Sequence, residues 1–185
     1  MPHQRGSTPL ERGANSLLTD HALITDAQFW FGGQMIAMVI DRNNGLLLVD
    51  FCGAFTAESL VVLDECLQAF VAREGVMPTI IDFTGVEYVN IAVATLVHRG
   101  GQRSQLLGQR RIFVSSDLLL FGLLRLYGTY QENQGETPPI TVRSLPEAFA
   151  ELGISGPMFE PISNALPSLT AMAMQDAVYA HLPEA

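Results

Sequence analysis

The sequence predicts one α/β domain on a mixed sheet, opened by a β-hairpin, with helices on the sheet and N- and C-terminal extensions. Three observations carry this. Short apolar runs alternate with helical patterns from Gln34 to Gly153, the signature of parallel crossovers in a layered fold. The first two runs are joined by Asp41-Arg42-Asn43-Asn44-Gly45, whose Asn-Gly pair favours the positive φ angles of a tight hairpin turn. Hydrophobic residues make up 48% of the 185-residue chain and charged residues 16%, which suits a packed core and not a disordered chain.

The elements follow in order. Residues 1–33 form an N-terminal extension, and its Phe29-Trp30-Phe31 cluster reads equally as strand or helix. Met35 to Ile40 and Leu46 to Phe51 are the hairpin strands. Thr56 caps a helix in which Leu60, Leu63, Leu67, Phe70 and Val71 recur at helical spacing, and Gly75 ends it. Thr79 to Phe83 is a short continuous apolar strand of the kind buried in parallel sheets. Asn90 is placed to cap a helix from Ile91 to about Leu107. Arg111 to Val114 is the next strand, and Ser115 or Ser116 caps a helix from Asp117 to about Tyr130. Pro139 to Val142 is the last strand. Ser144-Leu145-Pro146-Glu147 is a capping box with proline in the first turn, opening a helix that Gly153 stops. Residues 154–185, rich in proline, read as a linker with a weak helix from Ser168 to His181.

Composition excludes several functions. The formal net charge is −9, so the chain repels phosphate backbones and nucleic acid is not an expected partner. All ten basic residues are arginine, which removes any mechanism needing a lysine amine. Cys52 and Cys66 form no C-x-x-C motif and read as reduced, buried thiols of an intracellular protein, with a bridge between them as the alternative. No signal peptide or membrane span is apparent, so a cytoplasmic location is expected.

Several stretches resemble the STAS family (sulfate-transporter and anti-sigma-factor-antagonist domains). Leu48-Val49-Asp50-Phe51-Cys52-Gly53 is similar to its second strand, Thr79-Ile80-Ile81-Asp82-Phe83-Thr84-Gly85-Val86 to its central strand, and Val142 to Ala148 to its closing strand-to-helix step. Leu120 to Tyr127 is similar to a stretch of bacterial STAS-like proteins of unassigned function. The resemblance covers about Gln34 to Gly153 and implies a STAS-like sheet. In anti-sigma-factor antagonists a serine after the central strand is phosphorylated. Here Asn90 and Ile91 stand at the aspartate and serine positions, so that switch does not carry over.

The chemistry-bearing residues are sparse. Asp82 and Glu87 are the acids near the central strand's end, more in keeping with a turn former than a general base. His98 has no triad partner in view, and no chelating spacing suggests a metal. Arg99, Arg103, Arg110 and Arg111 cluster; Arg99 and Arg103 read as a solvated helix face, with an anion or acidic partner as the alternative. The run from Leu118 to Tyr127 is apolar nearly all round, so it is either covered by the chain or meets a partner.

The expectation is therefore a non-catalytic regulatory or scaffolding module without cofactor or metal. It would act through a protein partner of unknown identity, as a homodimer, using Leu120, Phe121, Leu123, Leu124 and Tyr127. A loop at Thr84, Asn90, Ile91 and Ser115 is the second candidate. The rival expectation is a domain binding a small molecule, a nucleotide or an apolar ligand, near that loop. An enzyme ranks third.

Overall fold

The computed structural model describes residues 28–31 and 34–162. The expected N-terminal arm and the helix at 168–181 lie outside the described residues. The element order is β1 (Gln28–Phe31), β2 (Gln34–Asp41), β3 (Leu46–Thr56), α1 (Ala57–Glu74), β4 (Thr79–Asn90), α2 (Val93–Gly100), β5 (Arg111–Val114), α3 (Leu118–Asn133), β6 (Ile140–Val142), α4 (Leu145–Leu152) and β7 (Glu160–Pro161). The sheet runs β1-β2-β3-β4-β5-β6, with β7 also on β2. β1, β2 and β3 pair antiparallel, and β3 through β6 pair parallel. The fold is thus α/β on a mixed sheet, as the alternation predicts.

Alternation along the strands divides the core into two layers. Leu47, Val49 and Phe51 of β3, Ile81 and Phe83 of β4 and Phe113 of β5 share one face with side chains of α1, α2 and α3. Leu46, Leu48, Ile80, Ile112 and Val114 share the other with Ala148 and Phe149 of α4. Rings link the first layer: Phe83 lies 5.5 Å from Phe55 and 5.8 Å from Phe113, and Phe113 lies 5.9 Å from Tyr127. Such separations suit edge-on and tilted aromatic pairs.

The helix starts follow local chemistry. Thr56 Oγ1 accepts from the Ser59 amide while Ser59 Oγ accepts from the Thr56 amide, a reciprocal cap on α1. Ser144 caps α4, and Gly153 takes the left-handed conformation at its end. The caps named for the other two helices differ from those found. Asp117, not Ser115 or Ser116, caps α3 through the Leu120 amide. α2 begins after Ala92 with no side-chain cap and stops at Gly100, short of Leu107.

Three further differences have physical reasons. The hairpin loop is four residues long, because Asp41 pairs with Leu46 and the Asp41 carboxylate accepts from the Asn43 and Asn44 amides. β4 does not end at Phe83. It runs on to Asn90 by pairing with β3 past a register shift, so Thr84 and Asn90 lie in a strand, not a loop. The body also begins before Gln34 and passes Gly153. β1 is a strand on β2, Ile162 is buried in the first layer, and the Met158 amide donates to Asp41.

α2 and α3 approach closely at Gly100, where an added Cβ would lie 2.8 Å from Tyr130 Cβ. We expect Gly100→Ala to cost about 1–3 kcal/mol through overpacking. A lowered urea midpoint at unchanged slope would show it; an unchanged midpoint would mean the helices part freely.

Candidate functional site

A cavity of about 60 Å³ lies between the sheet and the helices of the first layer. Its floor is Phe55, Ile81, Phe83 and Phe113. Leu60, Leu63 and Leu67 of α1 wall one side, and Leu96 of α2 and Leu124 of α3 the other. The helical spacing of Leu60, Leu63, Asp64 and Leu67 brings all four to the same stripe of α1.

One end of this apolar space is polar, and it holds Asp64, Arg99, Arg111 and Tyr127. Arg99 donates from Nε and Nη2 to the two carboxylate oxygens of Asp64, a forked pair. Its Nη1 is buried with no hydrogen-bond partner. Arg111 is 6% exposed and donates to Gln131 Oε1 at 2.7 Å and to the Thr137 carbonyl. Both acceptors are neutral, and no described carboxylate forms an ion pair with Arg111.

Burial works against the Arg99 charge, yet the Asp64 hydrogen bonds hold its pKa above the ordinary value. Burial lowers the Arg111 pKa, and the nearby Arg99 charge adds to the effect. Burial raises the Tyr127 pKa, so its hydroxyl keeps its proton. The arrangement offers no nucleophile beside a base. What it offers is an apolar space with hydrogen-bond donors at one end, the form of a small-molecule site.

A second cluster sits on the opposite face. Asp50 and Asp82 are register partners across β3 and β4, one position beyond Val49 and Ile81. Burial, then the Asp82 charge, pushes the Asp50 carboxyl up to about 6. Burial also raises Asp82, against hydrogen bonds from Thr84. Cys52 Sγ donates to Asp50 Oδ1 at 3.5 Å, and its thiol is pushed up to about 12 by burial and by that carboxylate. Among the described residues no group of three His, Cys, Asp or Glu side chains could hold a metal ion.

The residues expected to meet a partner fall differently. Leu120, Leu124 and Tyr127 are 0%, 3% and 9% exposed and belong to the core, so they present no outward surface. Leu123 packs against that core, and Phe121 lies under the Arg143 guanidinium, 3.6 Å from its ring centre. Leu118 and Leu119, at 78% and 61%, are the exposed ones. Thr84, Asn90, Ile91 and Ser115 do not line the cavity. Ser115 is fully buried, with Oγ on the Asp117 carbonyl. Arg99 is no solvated face: helix α2 ends before Arg103, and Arg99 and Arg111 turn inward while Arg103 and Arg110 stay exposed. Asp82 pairs with Asp50 instead of Glu87.

Sequence signals for the polar end existed. Asp64 interrupts a leucine stripe, Arg99 stands three residues after Leu96, and Arg111 alternates onto the face of Phe113.

No protein-family model matches the sequence, and no curated protein matches it. Among solved structures it is similar to an uncharacterized protein of the DUF3478 family, with a SpoIIAA-like fold, from Shewanella loihica PV-4. The likeness covers 67% of this chain and 97% of that one, at 16% identity and a TM-score of 0.42. No described helix is long and apolar enough to cross a membrane.

Proposed function

We propose that this chain is a non-catalytic, STAS-like binding domain that holds a small, largely apolar molecule between α1 and α2. The observation that carries the reading is the cavity itself, apolar on its floor and both walls, with polar groups gathered at one end. Well-packed interiors leave few voids larger than a water molecule. A cavity needs only about 10–15 Å³ to hold one water, and at about 60 Å³ this one has room for a small molecule.

The test is a thermal-shift panel of alkyl and aromatic compounds of that size, repeated on Leu60→Trp, whose half-buried side chain lines the cavity. A ligand at 100 times its Kd adds about 2.7 kcal/mol of stability, a Tm rise of several degrees. We expect at least one compound to stabilise the wild type and none to stabilise a folded Leu60→Trp. If no compound moves the wild-type Tm, and native mass spectrometry finds only the bare chain, the reading fails.

A second reading, a regulatory or scaffolding module that meets a protein partner, is favoured by one observation. Leu118 and Leu119 stand exposed together at the start of α3. Apolar patches of this kind mark contact surfaces.

A further inference from the structure

We propose that the molecule held in the cavity is a short-chain carboxylate, its carboxyl group received between Arg99 and Arg111 and its alkyl chain lying over Phe83 and Phe113. The proposal rests on the ligand-binding reading and says what that ligand is.

The charge arrangement points to an anion. A buried cation is stable only when paired and hydrogen-bonded. Arg99 is half satisfied: Asp64 takes Nε and Nη2, and the two N–H groups of Nη1 are buried without an acceptor. Arg111 is 6% exposed and donates to neutral oxygens alone, those of Gln131, Thr137 and the Tyr127 hydroxyl. The Tyr127 hydroxyl accepts from Arg111 and keeps its own proton to donate. Three donors therefore converge on one end of the cavity. Asp64 is already engaged by Arg99, and Glu136, whose charge reaches both arginines, accepts from the Ser104 amide and forms an ion pair with neither. An acceptor carrying one negative charge is the missing partner.

The rest of the cavity decides what that acceptor is attached to. Beyond the arginines the lining is mostly leucine and phenylalanine, with Ser104 and Gln105 beside them, and the side chains of the sheet floor other than Arg111 are apolar. An inorganic anion would leave this surface unfilled. A short acyl chain of three to four carbons would cover it, and the small volume admits no long one. Burying methylenes is favourable, so tail and head both add affinity.

The experiment compares butanoate, its neutral isostere butanamide, and sulfate by calorimetry at pH 7.5 and fixed ionic strength. The chains are the wild type and the Arg99→Gln/Asp64→Asn double variant, which removes both charges and leaves no orphaned carboxylate. The expected result is butanoate at least tenfold tighter than butanamide or sulfate in the wild type, with the preference over butanamide lost in the double variant. Equal binding of butanamide would overturn the anion inference and leave the ligand reading intact. Sulfate matching butanoate would overturn the alkyl chain. Binding of none of the three, while other panel compounds stabilise the protein, would overturn the carboxylate alone; failure of the panel as well would overturn both. Should the double variant fail to fold, by circular dichroism, Arg99→Lys serves in its place. It keeps the charge but loses the fork, and the expected loss is confined to butanoate.

Discussion

Leu120→Asp is expected to unfold the protein at 25 °C, while Leu118→Asp/Leu119→Asp leaves it folded with a Tm within a few degrees of wild type. The three leucines are adjacent in sequence, and α3 turns them in different directions. Leu120 is 0% exposed and packs in the first layer with Phe113 and Leu124. Truncating a buried leucine costs about 2–5 kcal/mol, and an unpaired buried carboxylate adds several more. The sum meets or exceeds the roughly 5–15 kcal/mol that holds a domain together. Leu118 and Leu119 are 78% and 61% exposed, and surface changes of that kind stay near ±0.5 kcal/mol. Far-ultraviolet circular dichroism with urea titration reads both variants. A folded Leu120→Asp beside an unfolded double variant would mean that α3 is rotated from the orientation described. The same pair decides the second functional reading: a protein partner lost with Leu118→Asp/Leu119→Asp, at intact fold, supports a contact surface there, and one retained removes it. Loss of a partner in Leu120→Asp would report only the loss of the fold.

The contrast within α3 shows where reading a sequence stops. The order of strands and helices was legible because each depends on local chemistry: alternation in the strands, the leucine spacing of α1, the caps at Thr56 and Ser144, the left-handed Gly153. What was not legible depends on pairing over distance. The last seven residues of β4, Thr84 to Asn90, carry no strong strand signal, and they are extended because β3 continues beside them past an irregular register. The Asp50–Asp82 pair exists only once that register is known. Arg99 and Arg111 read as surface arginines because their type is mostly exposed; their burial follows from Asp64 on α1 and Gln131 on α3, more than thirty residues and twenty residues away respectively. The α3 run is apolar nearly all round, but which side faces the sheet depends on packing, with Gly100 of α2 against Tyr127 and Tyr130. The candidate loop suffered most, since it was placed where the structure has a strand.

Asp50→Asn is expected to stabilise the protein at pH 8 by about 1–3 kcal/mol and to change it little at pH 4. The sign follows from the two pKa values. In the unfolded chain Asp50 titrates near its ordinary 3.8; in the folded protein burial and the Asp82 charge move it to about 6. Below pH 3.8 both states are protonated and the site costs nothing. As pH rises from about 4 to 6 the unfolded state ionises first, so folding loses stability through this window, and above 6 the loss is constant. A shift of about two pH units corresponds to roughly 3 kcal/mol, and the half-buried position reduces it through solvent screening. Asparagine removes the charge and keeps an acceptor for the Cys52 thiol. Other carboxylates act in the opposite sense. Burial opposes the Asp41 charge, but hydrogen bonds from Asn44, Met158 and Asn43 lower its pKa, and hydrogen bonding to Arg42 lowers Glu74, so both lose their contribution as pH falls. The difference between variant and wild type cancels those contributions and isolates Asp50. Urea midpoints at pH 4, 5, 6, 7 and 8 read it. A difference growing from pH 4 to a plateau above 6 supports the buried carboxylate pair, and Asp82→Asn should move the midpoint of that rise to lower pH by removing the neighbouring charge. A difference independent of pH would mean that Asp50 is solvated in the folded protein and that the two carboxyl groups do not share the interior of the sheet.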